Sequence, residues 1–185
     1  YGFKEPEVQR HFEALVDAVD IPVFVYNNPK TTGVSIGPDF LNRLAKIGVR
    51  GVKDSSFDIM VFYNYLWSVE REDFIPVIGT EALIFPAVGM GAVASVSGLA
   101  NAIPEPVVEL FEVVKTGDMD KARPLQRRVS AMRDVMHLGP TLTMIQAILH
   151  ERGVNAGYPR LPFVPPEKDL VKKAVEGFKA LGTSF

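Results

Sequence analysis

The 185-residue sequence contains no cysteine, one tryptophan and three histidines. Without cysteine there is no disulfide, no thiolate zinc site, no iron–sulfur cluster and no cysteine nucleophile. That fits a reducing compartment, and a cytoplasmic location is expected. An excess of one charge is also missing: Lys+Arg 20 against Asp+Glu 22 leaves a formal charge of -2. Such a chain raises no basic field for nucleic acid and has no polybasic patch for a membrane. Long hydrophobic runs are scarce. The stretch from Ala82 to Pro104 has no charge, but Pro86, Gly89, Gly91 and Gly98 interrupt it and Ser95, Ser97 and Asn101 are polar. A spanning helix needs about 20 mostly apolar residues, so a buried helix followed by a buried strand explains the run better. Gly89-Met90-Gly91 lacks the pattern of a phosphate-binding loop. His11, His137 and His150 are too scattered to form a metal cluster, and no metal is expected. Residues 1–4, Tyr-Gly-Phe-Lys, lack the basic start and apolar stretch of a signal peptide. Opening on Tyr1, the sequence reads as processed or as part of something longer.

What is present is an ordinary globular composition, 47% hydrophobic and 23% charged. At roughly 150 residues per domain, one sizeable core is expected. Val8, Phe12, Leu15, Val16 and Val19 recur with a helical period. Ile-Pro-Val-Phe-Val-Tyr, residues 21–26, is rich in strand formers and stops at the turn residues Asn27-Asn28-Pro29. Pro38 opens a helix that Gly48 ends. The same reading gives strands at about 21–27, 49–53, 74–79 and 92–97, with helices at 57–70 and 83–88 between the later ones. The strands are short, apolar and not alternating, as expected when both faces of a sheet are covered. Alternating β and α predicts a parallel sheet with right-handed crossovers. Beyond Asn101 only helices follow, at about 105–116, 118–137, 141–152 and 166–181. Gly157 to Pro166 holds four prolines and reads as an extended connector.

In parallel α/β folds ligands sit at the carboxyl ends of the strands. The terminal residues there are Tyr26, Lys53, Gly79-Thr80-Glu81 and Ser97. Lys53 closes Gly-Val-Arg-Gly-Val-Lys, an otherwise apolar strand, and lysine is almost never buried without a reason. Val49, Gly51 and Lys53 share one face, which leaves room beside the amine, and Tyr26 ends the adjacent strand. A lysine in a dry strand terminus loses charge, and a neutral amine attacks a ketone to form an imine. The imine is an electron sink for breaking a bond in a 2-oxo acid, and a nearby phenol can carry the proton. The same pattern also fits a surface lysine paired with Asp54, and a core aromatic at Tyr26. Phe57, Phe62, Tyr63, Tyr65 and Trp67 read as core and interface packing rather than a platform for stacking bases.

Two stretches carry a resemblance. Tyr26-Asn27-Asn28-Pro29-Lys30-Thr31-Thr32-Gly33 resembles the Y-N-x-P-x-x-T/S-G motif of the dihydrodipicolinate synthase/N-acetylneuraminate lyase family. Gly51-Val52-Lys53-Asp54-Ser55-Ser56 resembles that family's G-[IV]-K-[DE]-[ST], whose lysine forms the Schiff base. Gly79-Thr80-Glu81, the run from Gly91 to Asn101, and Arg160-Leu161-Pro162 are similar to later motifs. The resemblance implies an α/β (β/α)₈ TIM barrel with a C-terminal helical region, usually a homotetramer. Only the last four βα units are present: residues 1–101 match the C-terminal half of the barrel, and 102–185 the last barrel helix and the C-terminal helices. It implies Lys53 as nucleophile and Tyr26 as proton relay, with Tyr1 as a further relay. Thr31, Ser55, Gly79, Glu81, Val96 and Ser97 would bind the substrate, a small 2-oxo acid. The covalent imine replaces a cofactor. The partner is a homo-oligomer, tetramer or dimer, or the missing N-terminal half. Thr31 stands where dihydrodipicolinate synthases place an arginine, which favours an aldolase or dehydratase of 2-keto-3-deoxy sugar acids. Dihydrodipicolinate synthase and N-acetylneuraminate lyase are the alternatives within the family, and a truncated non-catalytic homologue is the alternative outside enzyme chemistry.

Overall fold

The computed structural model describes residues 2–185, and Tyr1 lies outside them. The chain divides into two compact units, one ending at Val96 and one running from Ser97 to Phe185. The first unit contains α1 (Glu5–Ala18), β1 (Phe24–Asn27), α2 (Pro29–Thr32), α3 (Pro38–Lys46), β2 (Gly51–Asp54), α4 (Ile59–Ser68), β3 (Ile75–Ile78), α5 (Ile84–Gly89) and β4 (Ala94–Ser95). A short 3₁₀ turn, Glu81–Leu83, precedes α5. The second unit opens on another such turn, Leu99–Asn101, and holds α6 (Pro104–Thr116), α7 (Met119–Met136), α8 (Thr141–Glu151) and α9 (Lys168–Ala180).

Local chemistry accounts for the helix ends. Pro29, Pro38 and Pro104 occupy the first turns of α2, α3 and α6, where the missing N–H costs nothing. The Asp58 carboxylate caps α4 by accepting from the amides of Met60 and Val61. Gly117 closes α6 at φ 79°, a conformation that favours glycine. Leu83 to Val88, read as one helix, begins inside the 3₁₀ turn that Thr80 caps.

The four strands form one parallel sheet in the order β1-β2-β3-β4. The α/β class with a parallel sheet therefore holds. The strands are shorter than the apolar runs suggest, and β4 is only two residues long. Coverage differs as well. Val25, Val52 and Ile78 are fully buried on the face that also carries Asn27 and Asp54, with Phe40, Leu41 and Leu44 of α3 and Phe62 and Tyr65 of α4 buried in the same unit. On the opposite face Phe24 is 37% and Tyr26 45% exposed. The expectation of two covered faces fails because a four-stranded sheet does not close on itself, so the second face meets solvent among the described residues. Of the aromatic cluster, Phe62 and Tyr65 are core, whereas Phe57 and Trp67 are exposed.

Candidate active site

Parallel register sets the site. Tyr26 pairs with Lys53 and Asn27 with Asp54. Side chains alternate along a strand, so Tyr26 and Lys53 share the open face and Asn27 and Asp54 the buried one. The Lys53 Nζ lies 4.4 Å from the centre of the Tyr26 ring. The phenol oxygen accepts from Asn28 Nδ2 at 2.9 Å. The Ser55 hydroxyl and then the Asn28 amide hold the Tyr26 phenol below its usual range; burial opposes them, and Lys53 adds to the lowering. A cavity of about 450 Å³ opens beside Tyr26, lined by Phe3, by Glu7, Val8, His11 and Phe12 of α1, and by Val25, Thr32, Val34 and Ile36.

The site is less dry than the strand pattern implies. Lys53 is half-buried rather than sealed, because the face it occupies is open. Nor does Gly51 leave room beside the amine. A Cβ there would meet Phe24 Cε1 at 2.2 Å and the Ile75 carbonyl at 2.4 Å, so the neighbouring ring already fills the space. Lys53 is not the surface partner of Asp54. That carboxylate is buried on the other face, accepting from Asn27 Nδ2 at 2.7 Å and from the Ser56 hydroxyl at 2.8 Å. Burial pushes the Asp54 carboxyl up, those hydrogen bonds oppose it, and Asp58 adds repulsion. Burial and the Asp54 charge push the Tyr65 phenol up as well.

Ser55 and Gly79 join the pair. The Gly79 amide donates to the Asp54 carbonyl at 2.6 Å, and the Ser55 hydroxyl faces the Gly79 carbonyl at 3.5 Å. Glu81 is buried in the turn after β3. Thr31 is exposed on α2, where its hydroxyl donates to the Asn28 carbonyl. Val96 is exposed, with its amide bonded to the Ile78 carbonyl. Ser97 begins the second unit, and its oxygen accepts from the Ala100 amide. The proposed relay Tyr1 falls outside the described residues. Among those residues, no three histidine or acidic side chains gather as a metal site, and no helix is long and apolar enough to cross a membrane.

Two features escaped the sequence. One is the buried polar chain through Asn27, Asp54 and Ser56. The other is Phe57, which follows directly at φ 65°. A left-handed conformation costs a residue with a Cβ about 1–2 kcal/mol. Lys30 Nζ lies 5.9 Å from the Phe57 ring.

A parallel sheet carrying a lysine and a tyrosine in register at its carboxyl edge defines a class of α/β proteins with their site at the strand ends. Within that class the chain belongs to the dihydrodipicolinate synthetase family, whose model matches residues 1–181. It is 29% identical over 173 residues to the 4-hydroxy-tetrahydrodipicolinate synthase of Archaeoglobus fulgidus, covering 93% of this chain and 60% of that protein. The structure of dihydrodipicolinate synthase from Bacteroides thetaiotaomicron superposes with a TM-score of 0.89 at 29% identity, covering 97% of this chain and 63% of that one. A variant of Sulfolobus solfataricus 2-keto-3-deoxygluconate aldolase has a TM-score of 0.87 at 21% identity, over 97% of this chain and 60% of that one, a likeness of fold. The chain thus spans about 60% of the length of these relatives.

Proposed function

We propose that this chain carries the imine-forming part of a Schiff-base lyase that acts on a small 2-oxo acid. The observation that carries the reading is the Lys53 amine held 4.4 Å from the Tyr26 ring centre, with the phenol bonded to Asn28. The Lys53 nitrogen adds to the ketone carbon, water leaves, and a protonated imine forms. Electrons from the bond between the third and fourth carbons flow into the imine, which becomes an enamine. The fourth-carbon hydroxyl gives its proton to Tyr26 as phenolate, the cleaved fragment leaves as an aldehyde, and the phenol so formed returns that proton to the third carbon of the enamine. Hydrolysis then returns Lys53 and releases pyruvate. A phenol held below its usual range by Ser55, Asn28 and Lys53 suits that proton transfer. Ser55, Gly79, Glu81, Thr31 and Val96 of the first unit, and Ser97 of the second, are the candidate substrate-binding residues, and the covalent imine takes the place of a cofactor.

The substrate is a 2-keto-3-deoxy sugar acid. Thr31 supplies a hydroxyl where a guanidinium would grip a second carboxylate. The names of the Archaeoglobus and Bacteroides relatives favour the second reading, condensation by a dihydrodipicolinate synthase. In either case residues 1–101 form the last four units of a (β/α)₈ barrel in the cytoplasm, and 102–185 the last barrel helix and the C-terminal helices. The partner is a homo-oligomer, tetramer or dimer, or an N-terminal half that supplies the remaining strands. Pyruvate with borohydride, applied to the barrel completed by that half, adds a stable mass to Lys53. Lys53→Ala abolishes the label, whereas Tyr26→Phe keeps it and loses aldehyde release. An unlabelled Lys53 in a folded, complete barrel refutes the enzyme reading.

A further inference from the structure

Behind the Tyr26–Lys53 pair, on the covered face of the sheet, runs a chain of polar groups that no step above uses. Asp54 is 0% and Asn27 2% exposed. The Ile36 amide donates to Asn27 Oδ1 at 3.2 Å, Asn27 Nδ2 donates to Asp54 Oδ1 at 2.7 Å, and the Ser56 hydroxyl donates to Asp54 Oδ2 at 2.8 Å. The Asp58 amide donates to Ser56 Oγ, and the Tyr65 hydroxyl donates to the Ile36 carbonyl. The direction of each bond is forced. A backbone N–H can only donate, so the Asn27 oxygen faces Ile36 and its NH₂ faces Asp54. Buried groups of this kind are costly to leave unpaired, which ties both strand ends and the segment up to Ile36 into one arrangement.

We propose that Asn27 and Asp54 are positioning residues, whose buried hydrogen bond locks the ends of β1 and β2 and so holds the Tyr26 phenol over the Lys53 amine. The link is register. The buried pair and the reactive pair are successive rungs of one ladder, on opposite faces. A shift of the covered rung moves the open one. A misplacement of about 1 Å at a reacting group costs up to roughly 10²-fold in rate. The kinetic half of the proposal rests on the imine-forming reading of Lys53, and the geometric half stands without it.

A swap of polarity tests it. Asn27→Asp sets two carboxylates face to face where one amide hydrogen belonged. Adding Asp54→Asn restores every donor and acceptor, because the new amide at position 54 donates to the new carboxylate at position 27, which still accepts from Ile36. Two readouts are followed: the Tyr26 phenol titration, as the difference from Tyr26→Phe, and the rate of borohydride trapping at Lys53 with pyruvate. Asn27→Asp alone moves the phenol toward the ordinary tyrosine value and slows trapping about tenfold or more. The double variant recovers both. If Asn27→Asp does not fold, Asn27→Ala and Ser56→Ala replace it and shift the phenol in the same direction. A double variant that folds but recovers neither readout overturns the proposal, as do single variants that leave the phenol unmoved. If wild-type Lys53 takes no label, the lyase reading falls and the titration alone decides the positioning role.

Discussion

Replacing Gly79 by alanine strikes the site where β2 and β3 end. A Cβ at this position would lie 2.1 Å from Ser55 Oγ and 2.5 Å from the Asp54 carbonyl oxygen, where ordinary contact begins near 3.4 Å. Ser55 can rotate away. The carbonyl cannot, since it accepts from the Gly79 amide itself at 2.6 Å. The strand ends must separate by roughly 1 Å, which releases that hydrogen bond at about 1 kcal/mol. Forcing a methyl into a packed site adds about 1–3 kcal/mol. The expected loss is therefore about 2–4 kcal/mol. Gly98→Ala is the control: its φ of -65° suits any residue and no atom lies within 4 Å of the new methyl. It should be neutral or stabilise by about 0.4–1 kcal/mol. Urea unfolding followed by far-ultraviolet circular dichroism reads both. Rotation of Ser55 also takes a hydroxyl from the Tyr26 phenol, so the phenol should titrate higher in Gly79→Ala. A variant that unfolds with the wild type and keeps the wild-type titration refutes the packing argument.

Two further outcomes can be measured. Tyr65→Phe removes the donor to the Ile36 carbonyl inside the core and should cost about 1–2 kcal/mol in the same urea experiment; an unchanged midpoint counts against that bond. Asp54 has a folded-state pKa raised above 3.8, chiefly by burial. The sign follows from linkage: the native state holds the proton more tightly, so this group's contribution to stability declines as pH climbs from about 3.8 through the raised value. The stability of Asp54→Asn relative to wild type should accordingly improve between pH 4 and pH 7, and a flat or opposite trend in urea midpoints contradicts the assignment.

The strand-end rule led to Tyr26 and Lys53 because each closes an apolar run, and the register pairs them as that rule requires. The Asn27–Asp54 bond was not legible. Its members are 27 residues apart, and each alone resembles a turn or motif residue. Only the register, one rung beyond the reactive pair, brings them together. Gly51 misled for a related reason: a glycine reads as empty space until the Phe24 ring from the next strand is seen across it. Exposure at Phe24 and Tyr26 was hidden as well, since an apolar or aromatic residue in a strand has the composition of a covered surface. Solvent contact depends on how many strands and helices lie against the face, which composition does not record. Thr31 follows the motif in position, and the bond from its hydroxyl to the Asn28 carbonyl was not legible in the spacing.

The sheet ends at β1 on one margin and β4 on the other, with no further strand beside either among the described residues. Those margins keep backbone donors and acceptors that an incoming segment can satisfy. During refolding, such a segment can come from a neighbouring molecule as readily as from a proper complement. Recovery should then depend on concentration, and supplying the complementary strands at the start should suppress aggregation more than supplying them after collapse.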